Sequence, residues 1–125
     1  MNARLILVFA AVCCVLLTGF YLMKPVEAQT GSITLTAKLT IKAGKEQEFE
    51  TLMKGIVPKV RQEPGNRAYT MCRSKENPRV FMFFEDYADQ AAVQAHGKHL
   101  RELGLDIAAY LDGPVAAEYY DKIAD

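Results

Sequence analysis

Between Ile33 and Ile41 apolar and polar residues take turns. Ile33, Leu35, Ala37, Leu39 and Ile41 alternate with Thr34, Thr36, Lys38 and Thr40. A period of two, rich in β-branched residues, predicts a strand with one apolar face. Lys42-Ala43-Gly44-Lys45 turns the chain, and the period then changes. Phe49, Leu52, Met53, Ile56 and Val60 fall on one stripe of a helix. Glu46, Glu48 and Glu50 sit near its positive N-terminal end, which favours them. Pro58 is expected to kink or weaken the last turn, and Glu63-Pro64-Gly65-Asn66 to stop the helix and turn the chain. Period two returns from Arg67 to Ser74, with Tyr69 and Met71 on one face and Ala68, Thr70 and Cys72 on the other. Lys75-Glu76-Asn77-Pro78 makes a turn, so this strand and the next form a hairpin.

The strand from Arg79 to Tyr87 is apolar on both faces. Val80, Met82 and Phe84 point one way; Phe81, Phe83, Glu85 and Tyr87 point the other. Asp89 is a fitting N-cap for a second helix, whose stripe is Val93, His96, Leu100 and Leu103 and whose end is Gly104. Leu105 to Leu111 predicts a short third helical piece, closed by Asp112-Gly113-Pro114, and Val115 to Tyr120 a last strand. The order β-α-β-β-α-β is that of an α+β, ferredoxin-like fold, a four-stranded antiparallel sheet with both helices on one face. A strand apolar on both sides needs cover for the second face. Phe81, Phe83 and Tyr87 are assigned to that open face. Such an aromatic patch marks an interface: a homodimer is expected, with the sheets face to face and a partly lined cavity between sheet and helix in each subunit.

The N-terminus changes the picture of where this domain works. Leu5 through Met23 is free of charge, Arg4 precedes it, and Lys24-Pro25 breaks it. Val26-Glu27-Ala28 has small residues where a signal peptidase reads, with cleavage before Gln29. Residues 1–28 are therefore expected to be a signal peptide or N-terminal membrane anchor, and residues 29–125 the domain. Two outcomes stand: cleavage and release, or retention as a membrane tether through residues 5–23. In both, Arg4 favours a cytoplasmic N-terminus. The domain is then exported, periplasmic or extracellular, or anchored outside the cytoplasm.

Charge and cysteine content remove several function classes. Without residues 1–28 the chain keeps 13 basic and 14 acidic residues, with no basic stripe. That balance gives no electrostatic pull on nucleic acid. Cys13 and Cys14 lie in the apolar run, so Cys72 is the domain's lone thiol and no disulfide can form within it. Cys72 is expected as a buried small hydrophobe. There is no Gly-rich phosphate loop, nucleophile elbow, CxxC or HExxH.

An ordered set of short motifs carries a resemblance. Ala37-Lys38-Leu39, Lys42-Ala43-Gly44-Lys45, Phe49, Glu63-Pro64-Gly65 and Tyr69, then Phe84-Glu85-Asp86-Tyr87, Ala91-Ala92 and Ala95-His96, are similar to the antibiotic biosynthesis monooxygenase family. The similarity runs from about residue 32 to residue 120. It implies a dimeric α/β barrel, and an oxygenation of a quinol or polyphenol with O₂ that uses no flavin, haem or metal. The chain departs from the family in carrying Tyr87 where members often have Trp, and in placing His99 three residues after His96 rather than five. A haem-degrading branch of the same fold would want Asn on the first strand and Trp near position 87. Here Ala37 and Lys38 stand on that strand and the chain has no Trp.

His96 is the candidate catalytic residue. It shares an inward stripe with Val93 and Leu100, and an imidazole suits a base that removes a phenolic proton. The alternative is a core histidine bonded to a backbone carbonyl or a carboxylate. Tyr69, Phe81, Phe83, Glu85, Tyr87, His99 and Lys38 are candidate substrate-binding residues. Each has a plain structural alternative: dimer packing for Phe81 and Phe83, a salt bridge of Glu85 to Arg73 or Arg67, a snorkelling Lys38, and a solvated His99. No cofactor-binding or metal residue is assigned. The expected partners are a small aromatic substrate, O₂ and a second copy of the chain. Two other functions compete: a non-catalytic, stress-response module that binds a small molecule, and a haem-binding or haem-degrading protein using His96 or His99.

Overall fold

The computed structural model describes residues 31–124. Its elements are β1 (Ile33–Thr40), α1 (Glu46–Val60), β2 (Asn66–Arg73), β3 (Val80–Tyr87), α2 (Gln90–Glu102) and β4 (Ala116–Tyr120), with a 3-10 turn at Ile107–Ala109. The sheet has four strands in the order β2-β3-β1-β4, all antiparallel. This is the β-α-β-β-α-β order and the ferredoxin-like α+β fold expected from the periodicities. The apolar run at 5–23 and the cleavage site before Gln29 lie outside the described residues. Among those described, no helix is long and apolar enough to cross a membrane.

Register decides which residues share a face. Leu39 pairs with Phe81, Ala37 with Phe83 and Leu35 with Glu85 across β1 and β3, and Tyr69 pairs with Glu85 across β2 and β3. Side chains directly opposite each other point to the same side of a sheet. All of these therefore lie on the side that the helices cover. Helix α1 lays Phe49, Met53, Ile56, Val57 and Val60 on it, and Phe49 meets Phe81 edge to face at 5.1 Å between ring centres. Pro58 does not end α1, which runs on to Val60. Asp89 caps α2 as expected, its carboxylate accepting from the Ala92 N–H at 2.8 Å. Gly104 follows with φ +73°, the left-handed value that suits glycine at a helix end.

The register corrects one assignment. Phe81, Phe83 and Tyr87 are not on the open face; they are buried beneath the helices. Parity was read correctly along β3, but which parity the helices cover is set by the apolar stripe of α1, and that stripe meets the aromatic side. The open face instead carries Val80, Met82 and Phe84 of β3, with Phe84 37% exposed. Lys38 pairs with Met82 and belongs to that open face, exposed, not with Phe81. Cys72, expected to be buried, also pairs with Met82 and is exposed. Near the C-terminus this face holds a buried Asp86, which accepts from Thr34 Oγ1 at 3.2 Å and from Lys122 Nζ at 2.5 Å.

Candidate functional site

The layer between sheet and helices is apolar at one end and polar at the other. Under α2, β3 supplies Glu85 and Tyr87 and β2 supplies Tyr69, all buried. They keep company with His96, the buried histidine of α2. The His96 ring lies 5.3 Å from the Tyr69 ring centre and 5.4 Å from that of Tyr87. Tyr87 Oη donates to Glu85 Oε2 at 2.8 Å. Glu85 thus has a tyrosine partner, and the arginine expected for it goes elsewhere: Arg73 pairs with Glu50.

Burial explains the proton affinities of this group. Loss of water pushes the Glu85 carboxyl above its usual range, and the Tyr87 hydrogen bond opposes that only in part. Burial, then the charges of Glu85 and Glu63, push the Tyr69 phenol up. Burial and Glu85 do the same to Tyr87. Both tyrosines therefore stay neutral hydrogen-bond donors at any physiological pH.

A residue that periodicity passed over completes the site. Glu63, just past the end of α1, turns its carboxylate inward to α2. His96 Nδ1 lies 3.0 Å from Glu63 Oε2 and 3.2 Å from Oε1, and His99 Nδ1 lies 2.6 Å from Oε1. The Glu63 side chain is 6% exposed, that of His96 10% and that of His99 32%. His99 is therefore not the solvated surface residue weighed in the sequence. Glycine at position 65 makes this approach possible. Gly65 has φ +85°, and a Cβ there would stand 2.7 Å from the Ala92 Cβ of α2. Its carbonyl accepts from the Ala88 N–H at 2.8 Å, which ties the loop to the start of α2. The sequence marked Glu63-Pro64-Gly65 as a helix stop and as part of the family resemblance, with no site role for Glu63. The i,i+3 spacing of His96 and His99 was the one signal that a common partner could lie opposite.

An open groove of about 550 Å³ runs over this cluster, between the end of α1 and the outer side of α2. Glu63 and His99 line it, with Lys59, Gln62, Lys98 and Glu102, whereas His96 lies behind Glu63 and does not. Another hollow of about 560 Å³ lies by Gly31–Thr34 and Tyr119–Asp121, and none of the histidines lines it. Only the first touches the titratable cluster. Among the described residues His96 Nε2 makes no hydrogen bond, and no buried side-chain nitrogen or oxygen lacks a partner. Nε2 is thus not sealed in the core. An imidazole anchored through one nitrogen and open at the other can take a proton from a bound hydroxyl and return it. Phe81 and Phe83 pack in the core beneath α1 and near Tyr69, and Lys38 stands on the far side of the sheet. The structure brings together Tyr69, Glu85, Tyr87, His96 and His99 and leaves those three apart from the histidines.

A family model for antibiotic biosynthesis monooxygenases matches residues 32–101. Among curated proteins none matches the sequence. Solved structures do. A candidate antibiotic biosynthesis monooxygenase from Caulobacter crescentus CB15 is 29% identical, with TM-score 0.68 over 78% of this chain and 94% of that one. A structure described as an antibiotic biosynthesis monooxygenase is 26% identical, with TM-score 0.66 over 74% and 99%. A conserved protein from Methanosarcina mazei Go1 is 26% identical, with TM-score 0.65 over 74% and 94%.

Proposed function

The chain belongs to the antibiotic biosynthesis monooxygenase family, and from that premise we propose that it oxygenates a small quinol or polyphenol with O₂ and no cofactor. The observation that carries this reading is His96, a buried imidazole held through Nδ1 by a buried carboxylate and flanked by two tyrosine rings. His96 Nε2, the ring nitrogen that Glu63 does not hold, takes the phenolic proton of the bound substrate. The phenolate then passes one electron to O₂, and the phenoxyl and superoxide radicals couple at a ring carbon. The peroxide takes its proton from His96. Loss of water from the hydroperoxide leaves a new carbonyl, and the two hydrogens removed from the substrate leave as that water. The buried rings of Tyr69 and Tyr87 keep bulk water from the radical pair. In this reading His99 and Gln62 meet the substrate's polar rim, and Tyr69 and Tyr87 shape the wall behind His96.

The same reading places two copies of the chain sheet to sheet. It is supported by the exposed Phe84 and the half-buried Val80 and Met82 on a face that no helix covers. In the same reading the domain works outside the cytoplasm, which is supported by the charge-free run at 5–23 and the Arg4 before it. Oxygen uptake by metal-stripped protein against a panel of quinols and flavonoid-like phenols tests the function. Uptake is expected without any added cofactor, and about 10²- to 10⁴-fold lower in His96→Ala, the usual worth of a positioned base. Undiminished uptake in His96→Ala would remove the mechanism; saturable binding without uptake would replace it with a binding module. Light scattering on the same preparation is expected to give a dimer, and a monomer would end the sheet-to-sheet arrangement.

A further inference from the structure

One carboxylate serves two imidazoles. Glu63 has its oxygens within hydrogen-bond reach of His96 Nδ1 and His99 Nδ1, and its side chain is nearly closed to solvent. A carboxylate offers only lone pairs, so each contacting nitrogen must bring the hydrogen. Both rings then carry a proton on Nδ1, and neutral His96 presents a bare Nε2. The loop cannot easily retreat, because Gly65 is locked against Ala92 and Ala88. The other groups that face His96 are Tyr69 from β2 and Glu85 and Tyr87 from β3, and none of them bonds to its Nδ1. On the outer side, Lys59, Lys98 and Glu102 border the groove beside His99. Lys98 is already drawn to Glu102 at 3.6 Å.

We propose that Glu63 is a positioning residue that fixes the proton of His96 on Nδ1, and that His99 is the second donor that holds Glu63 in place for it. This rests on the reading of His96 as the base, but the proton pattern can be tested without it. Imidazole prefers neither tautomer strongly by itself; a neighbour decides which nitrogen carries the hydrogen. Glu63 makes that choice for His96, and His99 occupies the carboxylate oxygen that would otherwise turn to the groove. The pairing of His99 with His96 at i,i+3, rather than a second histidine further along α2, is what lets a single carboxylate reach both rings.

The test is Glu63→Gln in the full-length protein, read by long-range ¹H–¹⁵N spectra in mildly alkaline buffer, where imidazole is neutral. In the wild type both histidines are expected as Nδ1–H tautomers. The glutamine oxygen still has two lone pairs, but the NH₂ that replaces the other carboxylate oxygen donates, so the ring nitrogen beside it must be bare. At least one imidazole must turn to the Nε2–H form. Two rings that stay Nδ1–H in Glu63→Gln, or a wild-type His96 that is Nε2–H, would overturn the assignment whatever the activity. His99→Ala is the second variant: it is expected to leave the His96 tautomer in place, with kcat lowered and, because His99 also meets the substrate's rim, KM raised. Loss of a partner that orients a working histidine typically costs about 10- to 100-fold, and that is the fall in kcat expected for Glu63→Gln. Expected tautomers in a protein that consumes no oxygen would refute the oxygenase reading and leave the positioning role standing. Normal kcat in Glu63→Gln, with the tautomers changed, would refute the role in turnover.

Discussion

The two ends of the layer beneath the helices are built on opposite terms. Under α1, Phe49, Met53, Val60, Leu39, Ile41 and Phe81 are almost wholly buried and wholly apolar. Under α2 the same sheet face carries Tyr69, Glu85 and Tyr87, which meet His96 of the helix, with only Leu35 and Ala92 as buried apolar company near Tyr87. The first end holds the fold. The second gives up part of that stability to keep ionisable groups out of water, where their proton affinities move and their positions are fixed by hydrogen bonds. The difference between them separates what folds the protein from what it does. Burial alone does not make a site, since Phe81 and Tyr87 are buried alike. The polar atoms that must be satisfied inside do.

The largest effect expected from breaking this contrast is at the apolar end. Phe81→Ala removes a ring packed on Phe49 and should cost about 3–5 kcal/mol in denaturant unfolding. Molecules that remain folded should keep their turnover, because the ring partner of Phe81 is Phe49 and not a member of the titratable cluster. At the polar end Tyr87→Phe keeps the ring but removes the donor to Glu85. It leaves a buried carboxyl short of a partner, with a loss of about 1–3 kcal/mol expected on the same assay. Glu85→Gln should have the smallest effect on stability in acid and a visible one above it. The folded-state affinity of Glu85 for its proton is raised, chiefly by burial. The native state then holds this proton where the unfolded state has lost it. Its contribution is complete below the ordinary carboxylate range and is lost as pH rises through the raised value. Unfolding curves from acid to neutral pH should therefore fall less steeply for Glu85→Gln than for wild type. Equal slopes would mean that Glu85 ionises in the fold as it does in water.

Periodicity made most of the fold legible. The switch from a period of two at Ile33–Ile41 to a helical stripe at Phe49–Val60 named the first two elements, and Asp89 and Gly104 marked α2 within a residue or two. These are local signals, and local sterics and hydrogen bonding produce them. The parity of β3 was legible too, but its direction was not. Both sets of side chains on that strand are apolar, so nothing within it says which set meets the helices. Cys72 and Lys38 were misplaced or misgrouped for the same reason: a strand residue's surroundings depend on what covers its face. Glu63 was invisible as a site residue because nothing in Glu63-Pro64-Gly65 distinguishes a carboxylate that ends a helix in water from one that turns inward.

The sequence by itself determined the element order, the fold class and the likeness to a family, because hydrophobic period, caps and turns act over a few residues. It also determined that a histidine would look inward from α2. Tertiary structure alone decided that this histidine meets Glu63, which lies 33 residues away in the chain. It decided as well that Glu63 meets two imidazoles rather than one, and that the aromatic side of β3 is core rather than surface. Those outcomes depend on strand register and on how closely a glycine lets one loop approach one helix. Neither distance is encoded in any short stretch of residues; each exists only once the chain has folded back on itself.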